Sequence, residues 1–286
     1  MKKFCYANMF LDCVNLINPP QLQATTLAEW CYSSMFGNCS SLTSAPVLTA
    51  TTLAKYCYYC MFYGCSKLTS APSLPATGLA DWCYNSMFYD CNKLNYISGS
   101  FTNWSNATTN WVTDVAQEGI FEKVSGLTDT RGVDNIPSGW FVFDNSTEPL
   151  SFTGKGVNNS ITLKKNLLPY SVNLYYKKNN DSWKKYTIDD TINLSNGDVV
   201  SFFGDNERFS KSNNRDYYYF DMTGTIEAKG NIQSLMGFRD KCVDYCYCHL
   251  FDGCTSLTTP PELPAELANV CYERMFKGCS NLSTAP

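Results

Sequence analysis

An α/β solenoid of parallel strands and short helices, joined to an all-β sandwich, is the fold this sequence predicts, and three observations predict it. A Met-Phe pair recurs at Met9-Phe10, Met35-Phe36, Met61-Phe62 and Met87-Phe88, always 26 residues apart, and returns as Leu250-Phe251 and Met275-Phe276, 25 apart. Just before each pair stands a Cys at i−4 to the Met, as with Cys57 and Met61, which is the spacing of one helix face. Between the two runs of repeats lie short apolar-alternating stretches separated by turn residues, the pattern of a sandwich of antiparallel strands.

A fixed period in the twenties is the signature of a leucine-rich-repeat solenoid, in which each unit buries its apolar face against its neighbours. In each unit an aromatic (Phe4, Trp30, Tyr56, Trp82) precedes Cys-Tyr, so helices are expected over 31–36 and 57–62. They should close at Asp12, Asn38, Gly64 and Asp90, residue types that tolerate the left-handed conformation. A second Cys follows (Cys13, Cys39, Cys65, Cys91), then a Leu three residues on. Leu-Thr-Ser-Ala-Pro is too short for a helix and ends in Pro, which predicts strands at 42–45 and 68–71 in one parallel ladder.

The run Met61-Phe62-Tyr63-Gly64-Cys65-Ser66-Lys67-Leu68-Thr69-Ser70 and its copies resemble the BspA-like leucine-rich repeats of bacterial surface proteins, over residues 1–98 and about 240–286. The resemblance implies surface adhesion or protein binding. Residues 99–145 read as the cap of the array, with a short helix at 110–116 and a β-hairpin of 119–124 and 136–143. Asn110-Trp111-Val112 and the run ending in Trp140 resemble segments that end such arrays. Trp104, Trp111 and Trp140 have the bulk to cover a raw repeat end. The domains expected are therefore a first repeat array (1–98), the cap (99–145), an immunoglobulin-like β-sandwich (146–230) and a second, incomplete array (231–286).

Fifteen cysteines and one histidine raise the question of metal or disulfides. Twelve occupy repeat positions and read as small buried hydrophobes left reduced. Cys60, Cys242 and Cys248 are off register. Cys242, Cys246, Cys248 and His249 lack the spacing of the usual C-x-x-C sites, and His249 aligns with Asn8, Ser34, Cys60, Ser86 and Arg274, a variety expected of solvent. The loops 204–208 and 213–216 carry oxygens of the kind that bind calcium, although a solvated loop is the plainer reading. No metal and no cofactor is expected.

A net charge of −4 and a pI near 5.1 argue against a nucleic-acid partner, and no apolar run is long enough to span a bilayer. With His249 the only imidazole and no phosphate-cradling loop, an enzyme is not expected. The expectation is a non-catalytic extracellular or cell-surface adhesion scaffold that binds a protein or carbohydrate, Tyr59, Tyr63, Tyr89, Trp183 and Tyr218 being the candidate contacts. The alternative is a bacteriophage tail or virion structural or receptor-binding protein. Because both ends fall inside a repeat, the sequence reads as part of something longer, with end-to-end self-association.

Overall fold

The computed structural model describes every residue except 168–169, 212–214, 240 and 264–265. The chain forms two compact units, Met1–Ser146 and Thr147–Pro286. Strands make up 26% of the chain and helix 3%, with no helix of seven residues or more among the described residues. This overturns the leucine-rich-repeat solenoid and the BspA-like assignment, which require an alternation of helix and strand.

The segments expected as helices at 31–36 and 57–62 are instead ribbons of consecutive turns. A helix needs negative φ throughout, whereas here every fourth residue is left-handed: Trp30 (φ 61°), Ser34 (50°) and Asn38 (58°), then Tyr56, Cys60 and Gly64, then Trp82, Ser86 and Asp90. The backbone amides alternate in use. Cys31, Ser33, Met35, Gly37 and Cys39 donate three residues back within their own coil, while Trp30, Tyr32, Ser34, Phe36 and Asn38 donate across to the carbonyls of Lys55, Cys57, Tyr59, Met61 and Tyr63 in the next coil. A left-handed bulky residue costs roughly 1–2 kcal/mol. The intercoil bonds, and the rings they bring into register, offset that cost.

Nor do the stretches 42–45 and 68–71 form strands. Only Ser70 makes an isolated parallel bridge there, to Tyr96. True strands appear at the far side of the unit, where β1 (Tyr96–Gly99), β2 (Ile120–Lys123) and β3 (Phe141–Asp144) make a three-stranded sheet in that order. Both pairings are parallel, so the expected hairpin is not formed. The expected helix at 110–116 is likewise a further turn ribbon, with Asn110 and Asp114 left-handed. Trp111 and Trp140 are buried in the core of this unit, their indoles donating to the Asn135 and Ala116 carbonyls.

The second unit is built on long strands. β4 (Ser151–Asn166) pairs antiparallel with β9 (Tyr217–Lys229) along most of its length. On its other side it pairs first with β8 (Val199–Gly204) and then with β7 (Thr191–Leu194). The sheet continues through β5 (Leu174–Lys178) to β6 (Lys184–Lys185). Between Lys155 and Ser160 the register slips. Buried Asn159 holds the slip, reaching toward the Gly156 and Leu194 carbonyls while accepting from the Thr225 amide. At the opposite edge β10 (Leu257–Thr259) runs parallel to β9. Two turn ribbons, around 245–254 and 270–279, stack beyond it, and one core holds sheet and ribbons together. The segment Ile232–Leu235 is one buried turn of 3₁₀ helix capped by Asn231.

Candidate functional site

Stacked ribbons carry their side chains in columns. Tyr6, Tyr32, Tyr58 and Tyr84 stack at 5.6–6.0 Å between ring centres, and Phe10, Phe36, Phe62 and Phe88 at 5.6–5.8 Å. Trp111 closes both columns against Tyr84 and Phe88. In the second unit Phe209, Tyr247 and Tyr272 form one column, and Phe220, Phe251 and Phe276 another. Here the start of each column is a residue from the sheet side of the unit, so the sheet does for these ribbons what Trp111 does for the first.

The thiols make a third column. Cys39, Cys65 and Cys91 each donate to the Phe carbonyl 29 residues back, at 3.0–3.2 Å, and Cys254 and Cys279 repeat the contact with Phe220 and Phe251. Burial pushes the Cys39 thiol up to about 11 and those of Cys65 and Cys83 to about 12. All fifteen cysteines are unbridged. Cys5 and Cys13 are exposed and Cys60 is half-buried.

His249 is not in solvent. It is 4% exposed and stacked on Tyr217 at 4.3 Å, with Nδ1 2.6 Å from Asp252 Oδ2. Cys248 turns away and donates to the Val270 carbonyl. The spacing argument missed a different grouping, for the Sγ atoms of Cys242, Cys246 and Cys271 all lie within 4.8 Å of one another.

The candidate contact residues fall in two groups. Tyr59 is half-buried, with its ring at an angle to Trp30 and Tyr56. Tyr63 is exposed and stacks on Tyr89 at 5.4 Å. In the other unit Trp183 is buried against Phe203 with Lys177 over its ring, and Tyr218 is buried with its hydroxyl donating to the Tyr170 carbonyl. Of the loops with calcium-type oxygens, Asp205 pairs with Arg239 and Glu207 with Arg208, while Asn213 and Asn214 lie outside the described residues, as does Pro264 of the linker between the last two ribbons.

The sequence places both ends of the chain inside a repeat, but not the backbone groups that the ribbons there present. In the ribbon around 4–13, amides of Phe4, Tyr6, Asn8, Phe10 and Asp12 donate inward to the next coil, and the outward carbonyls of Lys3, Cys5, Ala7, Met9 and Leu11 have no backbone partner among the described residues. In the ribbon around 270–279 the situation is reversed. Its carbonyls accept from the coil before, and the amides of Val270, Tyr272, Arg274, Phe276 and Gly278 are the ones without a backbone partner among the described residues. Each edge is also apolar: Phe4, Tyr6, Met9 and Val14 are 43–56% exposed at the first, Leu267 and Val270 are exposed at the second. A depression of about 360 Å³ lies on the first edge, lined by Met1, Tyr6, Met9, Phe10, Leu22 and Met35 among others.

No helix among the described residues is long and apolar enough to cross a membrane. No protein-family model, no curated protein and no solved structure matches the chain.

Proposed function

We propose that this protein is a non-catalytic structural subunit whose copies join ribbon edge to ribbon edge, in the setting of a tail or virion assembly. The adhesion scaffold expected from the leucine-rich-repeat reading loses its basis with that fold. The observation that carries the structural reading is the ribbon itself, in which every coil presents carbonyls on one side and amides on the other and takes its neighbour by pairing them. Inside the protein, that pairing of donors with acceptors is what joins each coil to the next.

The interior register transfers directly. The Tyr6 amide donates to the Cys31 carbonyl and the Phe10 amide to that of Met35, so Tyr272 should donate to Cys5 of a second copy and Phe276 to Met9. Tyr272 then continues onto Tyr6, Phe276 onto Phe10, and the Cys13 thiol meets the Phe276 carbonyl as Cys39 meets that of Phe10. A contact between two different edges is heterologous, so its repetition builds rings or open chains of subunits rather than a two-fold dimer. A net charge of −4 fits an assembly role better than a nucleic-acid one.

Sedimentation of the 286-residue chain tests this. It should self-associate as concentration rises, and Met9→Lys at one edge or Val270→Asp with Phe276→Asp at the other should each give monomers, while a mixture of the two variants should stop at dimers. A strict monomer at high concentration, or variants that still form chains, would refute edge-to-edge assembly.

A further inference from the structure

Aligned on the repeat, the residue four before the first Cys of each ribbon is Met1, Leu27, Leu53, Leu79 and Leu267, but Cys242 in the ribbon that starts at Tyr245. The first array keeps its ribbon thiols, such as Cys31, Cys57 and Cys83, in a simple column. Replacing the apolar residue by a thiol at this one unit adds a third sulfur beside two column positions, Cys246 of the same ribbon and Cys271 of the next. The three Sγ atoms lie within 4.8 Å of one another and are sheltered, although Cys242 as a residue is half-buried.

Two polar groups lie beside this cluster. The Gln233 amide nitrogen and the Tyr272 hydroxyl each lie 3.8 Å from Cys242 Sγ, and Gln233 is itself oriented by the Tyr247 hydroxyl, which donates to its side-chain oxygen at 2.8 Å. Gln233 is 3% exposed and sits on the 3₁₀ turn. The buried Gln233 amide and the Tyr272 hydroxyl are thus placed to donate to negative charge on the Cys242 sulfur.

We infer that Cys242, Cys246 and Cys271 form a site for one thiophilic divalent cation of zinc's class. Three thiolates bind such an ion at about 2.3 Å, which brings the sulfurs about 3.8 Å apart in a tetrahedral arrangement, a contraction of under about 1 Å from the present separations. The step balances as three thiols plus one divalent ion giving a tris-thiolate complex of charge −1 and three released protons. The Gln233 N–H and the Tyr272 hydroxyl then donate to thiolate sulfur and disperse that charge. The half-exposed side of Cys242 leaves the fourth position to water. Cys248 and His249 take no part, the first bonded to Val270 and the second to Asp252. The bound ion would tie together the ribbons around 245 and 270 and, through Gln233, the 3₁₀ turn that follows the sheet.

The experiment is a cobalt(II) titration of the full, reduced chain, because cobalt reports thiolate ligands through an intense near-ultraviolet sulfur-to-metal band. One equivalent should produce the band, zinc should abolish it by displacement, and the melting temperature should rise with either ion. Cys242→Leu restores the residue found at four other units, so it should fold as the parent does, by circular dichroism, yet lose the band and the metal-dependent shift in melting. Cys242→Ser, a smaller change, should weaken binding by at least tenfold. Cys60→Ser should leave both readouts unchanged. The inference is overturned if no thiolate band forms, if the band survives in Cys242→Leu, or if the purified chain carries Cys242 in a disulfide with either neighbour.

Discussion

Replacing Phe62 by Ala separates a packed column from a set of independent buried rings. Phe62 is fully buried, with Phe36 stacked at 5.6 Å on one side and Phe88 at 5.8 Å on the other, both nearly parallel to it. Deleting a buried Phe side chain costs about 3–5 kcal/mol, the upper part of that range applying where the surroundings cannot collapse into the gap. They cannot here, because five backbone bonds on each side of the coil hold the flanking rings at ribbon spacing, including Phe36 to Met61 and Phe62 to Met87. Phe10 is the control. It occupies the same repeat position but is half-buried and stacks only on Phe36, so Phe10→Ala should cost about 1–2 kcal/mol from the smaller apolar area lost. In equilibrium urea unfolding, with a slope of about 2 kcal/mol per molar, Phe62→Ala should lower the midpoint of the transition by about 2 M and Phe10→Ala by under about 1 M. Equal shifts would refute the account of a column whose interior members are held from both sides.

Alkaline pH provides a second test. Burial raises the thiols of Cys39, Cys65 and Cys83 above their ordinary value of 9.0, so the folded state holds protons that the unfolded chain releases. Stability should therefore be flat below about pH 8 and fall as pH rises from 9 toward 12, by up to about 1.4 kcal/mol per pH unit for each of Cys65 and Cys83, with a smaller contribution from Cys39 that ends near pH 11. Unchanged stability at pH 10.5 would mean these thiols are not proton-locked by burial. Among the glycines, Gly64 (φ 70°) would place an added Cβ 2.4 Å from Asn38 Oδ1, whereas Gly253 (φ 77°) has nothing within 4 Å of that position. Gly253→Ala should cost only the left-handed penalty of about 1–2 kcal/mol, and Gly64→Ala more, as read by melting temperature. The reverse order would place the ribbon crossing elsewhere.

Much of the local pattern was legible in the repeat itself, and the error was one of period. Cys31, Met35 and Cys39 recur every four residues, and so do the left-handed Trp30, Ser34 and Asn38. A helix repeats every 3.6 residues, and across two turns the two periods diverge by less than one residue, so the i to i+4 pairing of Cys and Met satisfies both. Asn38, Gly64 and Asp90 suit the close of a helix, but each is the last of three left-handed positions in a ribbon. The aromatics Trp30, Tyr56 and Trp82 in that conformation carry no sequence signal at all, since bulky residues avoid it when isolated. At the candidate metal site, the exceptional Cys242 is visible in the alignment of repeats. Cys246 and Cys271 are counterparts in neighbouring repeats, and only the packing of the coil shows that the Cys242 sulfur meets both.

The sequence by itself determined that units 26 residues apart must present like residues to one another, and hence that Tyr, Phe and Cys would align with their counterparts in neighbouring units. Whether those units would be helices or turn ribbons was decided only by the tertiary structure. A helix satisfies its amides inside one segment, whereas the ribbon satisfies half of them there and the other half on the carbonyls of the next coil. That second half is a property of two coils brought together. No single repeat contains it.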